Sequence, residues 1–423
     1  MVDLSDIHAL EALTVTPVSG PLRGRVQPPG SKSITNRALL LAGLAEGTTH
    51  MSGALKSLDT TLMARALRRM GAEVTEPDAT TFVVKAHARL TAPEEPLFLG
   101  NAGTATRFLT AAVALAEGTV VIDGDEHMRK RPIAPLVEAL AMLGVKASTP
   151  TGCPPVTVEA TGGFSGTRVE IDGGLSSQYV SALLMLAGCG DAPVTVALTG
   201  AEIGARGYID LTIAAMQAFG AEVEALDGQS WIVQPTGYHP AEFSVEPDAS
   251  AATYLWAAAA LTGGDIDIGM AANDFTQPDA AAAKIIAMFP NMPAEIDGSQ
   301  MQDAVPTLAV LAAFNATPVR FTGIANLRVK ECDRVSALST ELARIREGLA
   351  WEEGDDLVVA SDPGLAGHLL PTRIETYSDH RIAMSFALAG LKIRGITILD
   401  PACTGKTYPD YWHDLASLGV TFS

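Results

Sequence analysis

Along the chain, apolar and polar positions return to one pattern six times. A short β-type stretch leads to a Ser, Asn or Asp, an Ala/Leu-rich run of helical length follows, and another strand comes next. The helices open near Ser31 (PPGSKSITNRALLLAGLAEG), Asn101 (LGNAGTATRFLTAAVALAEG), Ser176 (DGGLSSQYVSALLMLAGCG), Asp248 (EPDASAATYLWAAAALTGG), Asp303 (MQDAVPTLAVLAAF) and Asp379 (YSDHRIAMSFALAGL), at intervals of 55 to 76 residues. Each opening residue carries a side-chain oxygen that accepts a hydrogen bond from a first-turn amide, so all six are predicted N-caps. Most blocks add a β-rich stretch such as TVVIDG or PVTVAL, then a second helix that closes on Met-Gly, Leu-Gly or Phe-Gly (LRRMGAEV, LAMLGVKA, MQAFGAEV). The glycine there is the residue that takes positive φ and stops the helix.

A βαβα-type module used six times in 423 residues predicts an α/β protein of two domains with three modules each. Ser31, Asn101 and Ser176 fall in one domain, and Asp248, Asp303 and Asp379 in the other. The segment up to about residue 29 holds strand-like TVTPV and GRVQP, and completes the second domain if the chain crosses between domains twice. If the first helices of a domain point the same way, their partial positive charges converge on one face suited to anions. The cleft between the domains is then the expected site.

Composition narrows the class. Hydrophobic residues at 48% and charged residues at 18% exclude a mainly disordered chain, and 5% aromatics argue against a stacking surface for single-stranded nucleic acid. With 29 basic and 48 acidic residues the net charge is −19, the wrong sign for a general binder of nucleic acid or anionic membrane. Cys153, Cys189, Cys332 and Cys403 are far apart with no CxxC pair, which indicates neither a disulfide framework nor a cysteine zinc site. MVDLSDIHAL has no basic and apolar regions of a signal peptide, and no apolar run reaches the roughly 18 residues of a membrane helix. A soluble cytoplasmic protein is expected, without metal or cofactor.

In so acidic a chain, local cations are informative. SKSITNR sets Lys32, Ser33 and Arg37 at a helix start, where Lys32 opposes the helix dipole and gains nothing locally. GNAGTATR is a Gly-rich turn into a helix with Arg107 one turn in, and in HMRKRP the residue before Pro132, Arg131, is the one expected to point inward. SSQ offers Ser176, Ser177 and Gln178 at a cap, and RVKECDR sets Lys330 and Arg334 four apart, on one face if helical. DHR supplies a lone His380 beside Arg381, which is poor evidence for a metal, and TGKT lacks the first glycine of a P-loop because Asp400 stands there. Lys406 remains a cation in a Gly-containing turn. Singly, each motif also reads as a cap, a solvated charge run or an ion-paired surface helix. Together they place cations at most helix starts, which points to a cleft that binds anions.

PGSKSITNRALLLAGLAEG, LGNAGTATR, RKRPI, SSQYVSALLM, RVKECDR, YSDHRIAMSFAL and LDPACTGKTYPDYW together resemble the 3-phosphoshikimate 1-carboxyvinyltransferase (EPSP synthase) family of enolpyruvyl transferases, from about Pro28 to Gly419. The resemblance implies a two-domain inverse α/β barrel of six βαβαββ-type repeats, with residues 1–29 and 247–423 in one domain and 30–246 in the other. It implies an enzyme that joins phosphoenolpyruvate to shikimate 3-phosphate in the interdomain cleft, with glyphosate as a candidate inhibitor; a monomer is expected because two lobes that close on each other gain nothing from a partner. Lys32, Ser33, Arg37, Ser176, Ser177, Gln178, Tyr208, Asp303, Asn326 and Lys330 would touch shikimate 3-phosphate. Lys32, Gly103, Thr104, Arg131, Gln178, Arg334, Arg381 and Lys406 would surround phosphoenolpyruvate. Asp303 would be the base, helped by Lys330 and Lys32, Glu331 the acid, and His380 an assisting or orienting group. Two residues depart from the family pattern. Ala205 stands in place of a serine on the phosphate, which would weaken substrate affinity or pass the role to Arg206, and Phe108 stands in place of a proline, which would shift the helix carrying Gly103 and Thr104 and with it the sensitivity to glyphosate. The alternatives are a UDP-N-acetylglucosamine enolpyruvyl transferase and a non-catalytic binder of an anionic metabolite. SSQ, DHR and the lack of a cysteine in residues 123–131 disfavour the first, and the proton-transfer set Asp303, Lys330, Glu331 and His380 disfavours the second.

Overall fold

The computed structural model describes residues 2–174, 176–200 and 205–423. They pack as two compact units, one formed by the chain up to Pro29 together with Pro247–Ser423, the other by Gly30–Glu246.

In the Gly30–Glu246 unit three four-stranded sheets share one order. Each has an edge strand parallel to its neighbour, followed by an antiparallel hairpin. They are Leu97–Phe98, Glu117–Asp123, Val156–Thr161, Lys146–Ser148; then Arg168–Asp172, Val194–Thr199, Ser230–Val233, Val223–Ala225; and Glu242–Ser244, Glu46–Ser52, Thr81–His87, Glu73–Asp78. In the first two the chain runs strand, helix, strand, helix, strand, strand. The first helices, Lys32–Leu44, Gly103–Ala112 and Ser177–Ala187, are buried on nearly every side, as expected of helices that are apolar all round. Leu39, Leu41, Phe108, Leu109, Leu183 and Leu184 are fully enclosed there. Second helices such as Leu58–Arg69 bury only one face, and Gly71 (φ 102) ends that helix where its sequence predicts.

The other unit repeats the same order in Glu295–Asp297, Val319–Thr322, Asp356–Val359, Ala350–Glu353. The N-terminal strands pair within it: Ala12–Thr14 lies antiparallel to Arg394–Leu399, which is parallel to Leu369–Ile374, and Arg23–Arg25 lies parallel to Asp265–Asp267. Its helices Ala249–Thr262, Val305–Ala312 and His380–Gly390 pack on one another, and every residue of the last two is buried. Among the described residues no helix is long and apolar enough to cross a membrane.

Ser31, Ser176, Asp248 and Asp379 cap their helices through their side chains. Asn101 and Asp303 do not, which corrects two of the six predicted caps. The helix after Asn101 is capped by Ala102 with no side-chain bond, and Asp303 sits inside the short turn Gln302–Ala304 before the helix Val305–Ala312. Both side chains accept from arginines instead, at 2.8 to 3.1 Å. Lys330 and Arg334 do not share a helix face either. Asp333 caps through Ser336 N–H at 3.0 Å, so the helix Arg334–Ile345 starts after Lys330.

Candidate active site

In the Gly30–Glu246 unit the cations sit at helix starts. Lys32 opens its helix almost buried, 3.6 Å from the buried Asp59 carboxylate. That contact supplies the stabilisation its own helix lacks. Arg37, 2% exposed, is held by neutral oxygens: Thr212 Oγ1 at 2.7 Å, Ser33 O at 2.9 Å, and Ser181 Oγ and Tyr208 O at 3.2 Å. Burial lowers its pKa to about 10, so it remains a cation at neutral pH. Phe108 is fully buried with Arg37 over its ring at 5.2 Å, and the helix that carries it runs unbroken from Gly103 to Ala112.

Two further guanidiniums meet at Gly103. A Cβ built there would lie 2.7 Å from Arg131 Nη1 and 2.8 Å from Arg107 Nη1, so only glycine leaves room for both. Arg131 does point inward, 7% exposed and donating to Asn101 Oδ1 at 3.1 Å, while Arg129 pairs with Asp123 at the surface. Gln178 Nε2 donates to Thr104 Oγ1 at 3.3 Å and thereby sets the starts of two buried helices side by side. Ser176 accepts from Gln178 N–H at 3.3 Å, and Ser177 begins that helix. Residues 201–204 lie outside the described residues. Ala205 has φ 52, and Arg206 stacks over Trp231 and donates to Gly228 O.

The other unit holds an ionic cluster. Arg334, 1% exposed, donates to Asp379 Oδ2 and Glu331 Oε2 at 2.8 Å and to Asp303 Oδ1 at 2.9 Å. Arg381 donates to the second oxygen of Asp303 at 2.8 Å, and Lys406 to the second oxygen of Glu331 at 2.9 Å. Three cations thus face three carboxylates. Burial works against the charge of Arg334, but Asp379, Glu331 and Asp303 outweigh it and hold the guanidinium above its ordinary pKa; Asp303 does the same for Arg381. Tyr254, 3.5 Å from Arg381, is pushed up to about 12 by burial. Lys330 is half-buried on the loop before this helix, and Asn326 Oδ1 is buried with no hydrogen bond among the described residues. His380 is fully buried, its Nδ1 3.7 Å from Asp379 Oδ1.

Sequence reasoning missed Asp59, Tyr254 and the second role of Asp379, which both caps its helix and grips Arg334. The turn before Asp379 is strained: Tyr377 (φ 55) and Ser378 (φ 53) are both left-handed without a glycine, at a cost of about 1–3 kcal/mol each.

The described residues form an α/β fold in which each unit gathers buried cations, the kind of group that holds anions. A model of the family described as EPSP synthase (3-phosphoshikimate 1-carboxyvinyltransferase) matches residues 17–415. The 3-phosphoshikimate 1-carboxyvinyltransferase of Rhizobium etli (strain CIAT 652) is 70% identical over 410 residues, covering 97% of this chain and 98% of the relative. That of Pseudomonas savastanoi pv. phaseolicola (strain 1448A / Race 6) is 69% identical over 408 residues, covering 96% and 98%. The solved EPSP synthase from Acinetobacter baumannii superposes with a TM-score of 0.78 over 98% of this chain and all of that one, at 24% identity, a likeness of fold alone. The chain belongs to the EPSP synthase (3-phosphoshikimate 1-carboxyvinyltransferase) family.

Proposed function

We propose that this chain transfers the enolpyruvyl group of phosphoenolpyruvate to the 5-hydroxyl of shikimate 3-phosphate, releasing phosphate, on the shikimate route to chorismate and the aromatic amino acids. The observation that carries this reading is the cluster in which Arg334 and Arg381 share Asp303 while Arg334 and Lys406 share Glu331. Cations that will hold an anionic donor rest on the two carboxylates that will move protons. When the carboxylate and phosphate of phosphoenolpyruvate take over Arg334, Arg381 and Lys406, Asp303 and Glu331 are released for chemistry.

In the first step the hydroxyl oxygen attacks C2 of phosphoenolpyruvate. Its proton goes to Asp303, with Lys330 assisting, and the methylene carbon takes a proton from Glu331, which picks one up from solvent once Arg334 and Lys406 have turned to the donor. The resulting tetrahedral intermediate then loses phosphate by cleavage of the C2–O bond, the leaving oxygen takes the proton held by Asp303, and the methyl group returns a proton to Glu331, so both carboxyl groups are reset. Lys32, Gly103, Thr104, Arg131 and Gln178 complete the phosphoenolpyruvate site. Ser33, Arg37, Ser176, Ser177, Gln178 and Tyr208 bind shikimate 3-phosphate with Lys32, Asp303, Asn326 and Lys330. His380 orients Asp379. The recurring sheet order supports six βαβαββ-type repeats in an inverse α/β barrel, three to a unit.

The test is phosphate release from phosphoenolpyruvate with shikimate 3-phosphate, with UDP-N-acetylglucosamine as the parallel acceptor. Release with the first acceptor alone is the expected result. Iodoacetamide at neutral pH should leave that activity intact, because burial and Asp379 push the Cys332 thiol beside Glu331 far up. A glyphosate titration of the same assay reads what Phe108 does to the helix Gly103–Ala112.

Gly103→Ala would drive Arg131 and Arg107 off their shared position. It is expected to raise KM for phosphoenolpyruvate about tenfold with little change in KM for shikimate 3-phosphate, the loss of roughly one charge-assisted hydrogen bond, read from steady-state kinetics.

A further inference from the structure

Glu341 is completely buried and stands two turns along the helix that Arg334 begins. No step of the reaction uses it. A buried carboxylate persists only where partners satisfy it, and those of Glu341 lie mainly on the strained turn. Its Oε1 accepts the Tyr377 hydroxyl at 2.8 Å, its Oε2 accepts Glu375 N–H at 3.1 Å, and the half-exposed Arg344 lies 3.1 Å away. The turn closes with Asp379 N–H on Thr376 O at 2.8 Å, and Glu375 Oε1 accepts Tyr377 N–H at 3.3 Å. Two consecutive left-handed residues without glycine survive only where their surroundings over-determine them, and Glu341 anchors this turn through both a side chain and a backbone amide.

We infer that Glu341 and Tyr377 are positioning residues for the donor site: their hydrogen bond locks the Tyr377–Ser378 turn, which sets Asp379 against Arg334 and Arg381 against Asp303. The helix Arg334–Ile345 is thereby tied to the segment Glu375–Arg381 at two points, Arg334 to Asp379 and Glu341 to Tyr377. Two arginines that meet on one carboxylate cannot then shift independently. This inference rests on the function proposed above, in which Arg334 and Arg381 hold phosphoenolpyruvate.

Tyr377→Phe removes one hydroxyl. It is expected to raise KM for phosphoenolpyruvate about tenfold, as for a lost hydrogen bond to a charged group, while KM for shikimate 3-phosphate stays within about twofold. Glu341→Gln keeps an acceptor for Tyr377 and should fall between wild type and Glu341→Ala. The Glu341→Ala, Tyr377→Phe double variant should be no worse than the more affected single one, because both remove the same bond. If the Glu341 variants do not fold, Tyr377→Phe carries the test. A role in stability alone would lower the melting temperature and the active fraction, reducing kcat with both KM values unchanged, and that pattern overturns the inference. Wild-type protein that neither turns over nor binds phosphoenolpyruvate in a calorimetric titration overturns the functional reading and this inference with it. Wild-type turnover with kinetically unchanged variants overturns this inference alone.

Discussion

Replacing Asp303 by asparagine is expected to lower kcat about a thousandfold, within the range that general-base catalysis contributes, while calorimetric affinity for both substrates changes only severalfold. The substitution keeps the shape and one acceptor for Arg334 or Arg381, which now bind opposite oxygens of the carboxylate. It removes the only group in that pair able to take a proton from a hydroxyl. A binding protein on this fold would retain its affinity and have no turnover to lose in the wild type. An Asp303→Asn enzyme that releases phosphate at the wild-type rate would assign the base elsewhere, with Lys330 the next candidate.

Arg334→Met should have the largest effect on stability. The guanidinium is 1% exposed and bonded to three carboxylates, one of them fully buried. Methionine has similar bulk but leaves Asp379, Glu331 and Asp303 facing one another without their shared cation, a loss of about 3–5 kcal/mol for a broken buried ion pair. Chemical denaturation should show the unit of Pro247–Ser423 unfolding at markedly lower denaturant, with phosphate release abolished. Arg334→Lys should recover part of the stability and little of the activity, because one ammonium cannot reproduce the guanidinium's fixed fork toward several carboxylates. Equal stability of Arg334→Met and wild type would show that the cluster contributes nothing to holding its unit together.

What the sequence reveals here is what local rules control. Helices such as Ser177–Ala187 and His380–Gly390 follow from apolar periodicity, and their caps Ser176 and Asp379 from side chains that reach their own first turn. Asn101 and Asp303 have the same local signature, yet their oxygens go to arginines 30 and 31 residues away. No local rule sees that competition, and a charge-assisted bond to a buried guanidinium outweighs one cap. Lys32 stands out in the sequence because its helix gives it no reason to be there. Its partner Asp59 does not, since an aspartate in the first turn of the next helix looks like ordinary complement to a helix dipole. The ligand roles of Tyr208 and Asn326 come from family resemblance and from no spacing or periodicity in the chain. Likewise the grip of Glu341 on Tyr377 joins residues 36 apart that no motif links.

The two clusters differ in how their charge is balanced. Arg37 and Arg131 are held by neutral oxygens, which fix their direction and leave their charge uncancelled. Arg334, Arg381 and Lys406 rest on carboxylates, so their charge is already cancelled. In a chain of net charge −19 an approaching phosphate is repelled at long range. On the function proposed above, the buried guanidiniums of the Gly30–Glu246 unit, 2% and 7% exposed, attract it only at close range, where salt screens little. On the same proposal the other unit exchanges one anion for another, a near-neutral swap. In that reading an anion meets uncancelled charge in one unit and displaces carboxylates in the other, attraction in the first and competition in the second.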